Sequence, residues 1–229
     1  MSASSLSRLV MGVAACCLQA IAAAHEPLLI KPLAEKKVTE LPPGPLAWTI
    51  ETFDSVALAD AAAGPWSLTV QSAGKVWLFS LGNGDHHSSG GTKVAEVGPI
   101  PRISARTYLL RINDASGPPG SVTPVHSHPG SEAFFVLSGE QSIRSSAKVL
   151  KVGAGHTEPG QGAENAMEVS SSGATDLHAL VMFVVDADKP SRRRPSCHDH
   201  PLGRRLTDQA DSQRAAVFAC RSCRTLDGC

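Results

Sequence analysis

Across GSVTPVHSHPGSEAFFVLSGE, Gly120 to Glu140, two histidines stand two positions apart, His126 and His128, and Glu132 follows four residues later. In extended chain, side chains two apart share a face with Cβ atoms about 6–7 Å apart, so both imidazoles can converge on one ion. Pro129-Gly130 turns the chain, and Glu132 can return to the same point from the start of the next strand. Two neutral imidazoles and a carboxylate make a borderline-hard donor set. It suits a divalent transition ion (Fe, Mn, Ni, Co or Zn) at ~2.0–2.2 Å. Three donors on one side of the ion leave positions open for water, oxygen or substrate. The competing reading is a polar strand face that holds no ion.

Strands must present those side chains. Short runs bounded by Gly, Asn or Ser recur along the chain: Trp66–Val70, Lys75–Leu81, Lys93–Val97, Thr107–Ile112, Val122–His126, Ala133–Leu137, Gln141–Arg144, Lys148–Val152, Ala166–Val169 and Leu177–Val185. Many short, turn-punctuated strands predict an all-β sandwich or barrel. Before them, residues 25–47 are rich in Pro and Lys and read as an extended arm. Asp54–Ala63 reads as a short helix capped by Asp54 and stopped at Gly64-Pro65. Phe134, Phe135, Val136, Leu180, Met182 and Phe183 read as core. His86-His87 lies in a Gly/Ser loop and reads as a solvated pair.

The series Gly120, five residues, His126, one residue, His128, three residues, Glu132, six residues, Gly139 resembles the first motif of the cupin superfamily with its spacing intact. The resemblance covers roughly residues 100–186. It implies a jelly-roll β-barrel with a metal held inside the barrel mouth by His126, His128 and Glu132, in the manner of a facial triad. It also implies a small-molecule ligand or substrate and a possible homodimer paired through sheet edges. The second cupin motif departs from the pattern after Gly153, five residues, Pro159. The position of its histidine falls on Glu164, or on Asn165 with one residue of slippage. Glu164 is the candidate fourth ligand, set against a surface-turn carboxylate; His156 and His178 are alternatives to it. A metal-dependent oxygenase or isomerase and a non-catalytic metal or small-molecule binder are both compatible with this pattern.

The ends of the chain differ from its body. Residues 1–24 carry Arg8, then an apolar run from Leu9 to Ala24 ending in small residues. They read as a secretory signal peptide cut near Ala24, with a lipoprotein signal at Cys16 ranked second. The run is too short for a comfortable membrane span. This places the protein in a periplasm or outside the cell. From Lys189 the strand pattern stops, and residues 189–229 read as a basic, Cys/Arg-rich, irregular tail. In it Cys197-x-x-His200 and Cys220-x-x-Cys223 offer zinc or disulfide pairings, and Arg192–Arg194 reads as a solvated charge run. The resulting division is signal peptide 1–24, arm and helix 25–65, barrel 66–188 and tail 189–229.

Composition excludes other classes. The chain is formally neutral, but between His25 and Asp188 eleven Lys and Arg face seventeen Asp and Glu. An acidic body argues against nucleic-acid binding. No phosphate-binding Gly-Lys loop and no Gly-x-Ser-x-Gly elbow is present, and the body has no Cys to act as nucleophile.

Overall fold

In the computed structural model, residues 26–84, 86–190 and 192–193 are described. The segment read as a signal peptide, with Cys16, and the cysteine pairs of the tail lie outside them.

The described residues are all-β with antiparallel sheets and one short helix. In order it forms β1 (Leu29–Val38), β2 (Leu46–Phe53), α1 (Val56–Ala62), β3 (Ser67–Ser72), β4 (Lys75–Gly82), β5 (Thr92–Ile100) and β6 (Tyr108–Gly117). Then follow β7 (Gly130–Ser138), β8 (Glu140–Ser145), β9 (Val149–Gly153), β10 (Thr157–Glu158), β11 (Met167–Ser171) and β12 (Leu177–Asp186). A five-stranded sheet, β1-β6-β12-β7-β10, lies at the centre. A three-stranded sheet, β11-β8-β9, and a four-stranded sheet, β3-β4-β2-β5, complete the fold.

The inner strands β6, β12 and β7 of the central sheet are covered on both faces, and strand alternation decides which residue goes where. Leu110 and Ile112 of β6, Ala133 and Phe135 of β7, and Leu180 and Met182 of β12 pack on Trp48, Ile50 and Phe79 of the four-stranded sheet. Their neighbours Ala115, Phe134, Val136, Val181 and Phe183 turn the other way, onto Ile143, Val152 and Val169 of the three-stranded sheet. Burial of both faces explains why β12, LHALVMFVVD, is a continuous apolar run and not an alternating one. Burying the side chains of Trp48, Phe79 and Phe134 stabilises the fold by about 2–3 kcal/mol each.

Three features differ from the sequence expectations. The stretch read as an extended arm, residues 25–47, is extended but built into the sheets where it is described: β1 pairs with β6 along its length, and β2, which begins at Leu46, lies between β4 and β5. The strand β1 is an edge with one open face, which is why its sequence, LIKPLAEKKV, tolerates Pro and Lys. The helix is capped by Ser55, not Asp54; the Ser55 hydroxyl accepts the Leu58 N–H at 3.3 Å. The run Val122–His126 is not a continuous strand but makes isolated bridges, Val122 to Ser170 and His126 to Met167. Pro124, without an N–H, interrupts the ladder between them.

Two glycines in the motif stretch have structural reasons. A Cβ on Gly130 would run into the Val184 carbonyl and lie 2.6 Å from Val185 Cα. Gly139 turns β7 into β8 at φ +74, a conformation L side chains rarely adopt.

Candidate metal centre

The segment carrying the histidines is extended even where it is not a named strand. His126 exchanges both backbone hydrogen bonds with Met167, at 2.9 and 2.7 Å. Ser127 exchanges both with Arg193, at 2.9 Å each. Bonding to opposite sides at successive residues puts His126 and His128 on one face, and their rings meet edge to face, centroids 5.0 Å apart. Glu132 comes from β7, held in register by its pairing with Phe183 of β12. Phe183 also packs its ring 4.9 Å from that of His128, fixing the imidazole from the side.

The ligand atoms of His126, His128 and Glu132 lie within 4.8 Å of one another, and all three residues are buried. Around an ion with bonds of ~2.1 Å, neighbouring donors stand about 3 Å apart and opposite ones about 4.2 Å. Small side-chain rotations therefore close the set.

The protonation pattern suits a cation. Nδ1 of His126 lies 2.8 Å from the Pro124 carbonyl, which can only accept, so Nδ1 carries the proton and Nε2 keeps its lone pair. Burial, then the nearby Arg192 charge, lowers the pKa of His126 from 6.5 to about 4, so the ring is neutral at physiological pH. His128 Nε2 sits 3.0 Å from Glu132 Oε2. The other carboxylate oxygen, Oε1, is buried with no hydrogen-bond partner among the described residues. Such an orphan costs roughly 1–3 kcal/mol. A metal ion would satisfy it, so the residues present fit one.

Above the three side chains is a cavity of about 180 Å³. Apolar walls come from Phe134, Val169, Val181 and Phe183. Polar lining comes from Arg111, Asn113, Gln141 and Arg192. Gln141 is fully buried, and both its amide atoms lack partners among the described residues, as does Asn113 Oδ1. Arg111 Nε lies 2.7 Å from Glu35 Oε1 but off the line of its N–H, an ion pair and not an aligned hydrogen bond.

The candidates for a fourth ligand lie elsewhere. The Glu164 side chain is exposed, and its carboxylate lies 3.7 Å from Arg193 Nη1; only its backbone reaches the site, donating to the His128 carbonyl at 2.9 Å. His156 is exposed on its turn. His178 projects from the opposite side of β12 relative to Phe183 and pairs with Asp114 at 2.7 Å.

Sequence reasoning missed Arg192, Gln141 and Asn113. Arg192 Nη2 is 3.3 Å from both ring nitrogens of His126. An atom in the ring plane at that distance from both would collide with Cε1, so the guanidinium stacks over the ring face. The strand signal for Gln141 was available: it has the same parity as the buried Ile143, which places its amide inside.

No family model matches the chain, and no curated protein matches it. Solved structures do. One is a cupin superfamily protein from Desulfitobacterium hafniense, 16% identical, covering 34% of this chain and 68% of that one, with a TM-score of 0.31. Cupins and double-stranded β-helix proteins are among the structures this chain matches. Another is described as a predicted oxalate decarboxylase from Thermotoga maritima, 20% identical over 34% of this chain and 81% of that chain, TM-score 0.30. A third is a DMSP lyase from Ruegeria pomeroyi, 22% identical over 35% of this chain and 41% of that chain, TM-score 0.32.

Proposed function

We propose that the chain binds a divalent transition metal through His126, His128 and Glu132 and presents it to a small molecule in the adjoining cavity. The observation that carries this reading is the half-satisfied carboxylate of Glu132 beside two buried imidazoles, one of them fixed as a neutral Nε2 donor. When bound, the ion would supply Lewis acidity or a site for oxygen. The chain's own contribution is positioning. Pro124 fixes the tautomer of His126, Phe183 the ring of His128, and Phe134, Val169 and Val181 line the adjoining cavity with apolar surface.

Catalysis as an oxygenase or isomerase is the reading favoured over a passive binder. Among the described residues three side chains converge, and Glu164 faces Arg193, so those three leave coordination positions open toward the cavity. A non-catalytic periplasmic binder is the alternative. We propose also that residues 1–24 direct export, on the strength of their apolar run alone.

Elemental mass spectrometry on the full chain, purified without a histidine tag, tests the metal reading. A His126→Ala/His128→Ala protein serves as control, since tail cysteines are present in both. Near-stoichiometric Fe, Mn, Ni, Co or Zn lost in the control is the expected result. A folded protein that holds no more metal than its control, even after reconstitution, overturns it.

A further inference from the structure

The mouth of the cavity is marked by the lining residues that reach solvent. Pro32 of β1 and Arg192 are exposed, Ile30 and Arg111 are half-buried, and the remaining lining residues are buried. The opening therefore lies between the edge strand β1 and the C-terminal segment. Arg192 covers His126 there, with Nη2 3.3 Å from both ring nitrogens, and His126 is only 4% exposed. The cover is steric: it follows from where the guanidinium lies and not from its charge.

Backbone pairing outside the sheets places Arg192. β12 ends at Asp186, and the chain turns, the Lys189 N–H donating to the Asp186 carbonyl at 3.3 Å. At Arg193 it meets the histidine-bearing segment as an antiparallel bridge and exchanges both backbone hydrogen bonds with Ser127, at 2.9 Å each. The Arg193 side chain lies 3.7 Å from the Glu164 carboxylate, and the Glu164 N–H donates to the His128 carbonyl at 2.9 Å. Glu164 thus stands where the motif would place a fourth ligand, and its side chain instead faces the segment that crosses the site. The anchorage is slight. The ion pair joins side chains 43% and 50% exposed, and pairs so exposed contribute little. A stretch held by two backbone hydrogen bonds and such a pair opens far more often than the sheets beneath it.

We propose that residues 192–193 are a strap across the mouth of the site: paired with Ser127 they close it over His126, and entry of an ion or small molecule is gated by their lifting. What enters rests on the function proposed above; the strap itself is tested without metal.

The test is modification of His126 by diethyl pyrocarbonate in the metal-free full chain, at about pH 7.5, where an imidazole is neutral. Rates are followed residue by residue by mass spectrometry. Arg193→Pro removes the N–H that donates to Ser127 and keeps Arg192. Arg192→Gly keeps the pairing and removes the cover. Each is expected to raise the His126 rate about tenfold, the scale of losing roughly one or two hydrogen bonds. His178, on the opposite side of β12 and paired with Asp114, should react as before. An unchanged His126 rate in either variant overturns the proposal. So does a rise matched at His178, which would report a loosened barrel and not a lifted strap. Zinc uptake by the same proteins, beyond that of a His126→Ala/His128→Ala control, separates the two readings. Uptake that quickens with the His126 rate supports the strap. Faster modification with no zinc bound removes the metal reading and leaves the strap; zinc taken up equally fast by all, with modification unchanged, removes the strap alone.

Discussion

Acidification of the metal-free protein should expose His126 directly. Its ring is held neutral in the fold, with a pKa lowered from 6.5 to about 4, first by burial and next by the Arg192 charge; Glu132 and the Pro124 carbonyl oppose the shift. Between those two values the unfolded chain binds a proton at this site and the folded chain does not. Stability therefore rises with pH across the window: it is fully present above pH 6.5 and is lost as pH falls toward 4. The shift of about 2.5 pH units corresponds to about 3 kcal/mol, a large part of a typical folding free energy of 5–15 kcal/mol. For a chain of this length that is about 6–12 °C in melting temperature. The assay is urea unfolding of EDTA-treated protein at several pH values between 7.5 and 4, reading midpoint and slope separately. His126→Gln should flatten the curve between pH 6.5 and 4. Glu140, kept ionised chiefly by its bond to Lys151, and Asp186, kept ionised chiefly by the Asp188 N–H, also lose stability in acid, but equally in both proteins. An identical slope in wild type and His126→Gln would refute the placement of a neutral, buried His126.

Other substitutions separate the site from its scaffold. Glu132→Gln should lower metal affinity at least tenfold in calorimetric titration, since even outer partners of metal ligands contribute that much. Phe79→Ala, in the core behind the site, should cost about 3–5 kcal/mol in urea unfolding and leave metal per folded molecule unchanged. Gly130→Ala should cost roughly 1–3 kcal/mol because its Cβ meets the backbone of β12; the push on β7 should weaken metal binding as well. Ser55→Ala should cost about 1 kcal/mol at the helix cap, with the metal site untouched.

What could be read from the sequence was local. The spacing of His126, His128 and Glu132 survives into three dimensions because one extended segment and one hairpin carry all three, and Gly130 and Gly139 mark the backbone positions that admit no side chain. The strands were visible because turn residues bound them. The role of β1 was hidden because an edge strand with one open face carries Lys and Pro like a loop. Arg192 was hidden for a different reason: it meets His126 across 66 residues of sequence, and nothing in a run of arginines marks which one leans on an imidazole. Glu164 was misleading in a third way. Its place in the motif is close to the site in space, but only its backbone N–H turns inward, at a φ of +61, while its carboxylate turns out toward Arg193.

A comparison within the molecule strengthens the functional reading of Glu132. The fold buries a second carboxylate as deeply, Glu51 of β2, and there it meets every need. Ser88 donates its backbone N–H to one oxygen at 2.8 Å and its hydroxyl to the other at 2.6 Å, while His87 approaches at 3.1 Å. So the loop read as a solvated histidine pair ties its neighbours onto a buried charge. Where a buried carboxylate is structural, this chain surrounds it with donors. Glu132, buried to a similar degree, has one imidazole beside it and keeps an oxygen unmet among the described residues. A sequence able to satisfy Glu51 with three donors has the means to satisfy Glu132. That it leaves a carboxylate oxygen of Glu132 unmet beside two imidazoles fits the metal site proposed above.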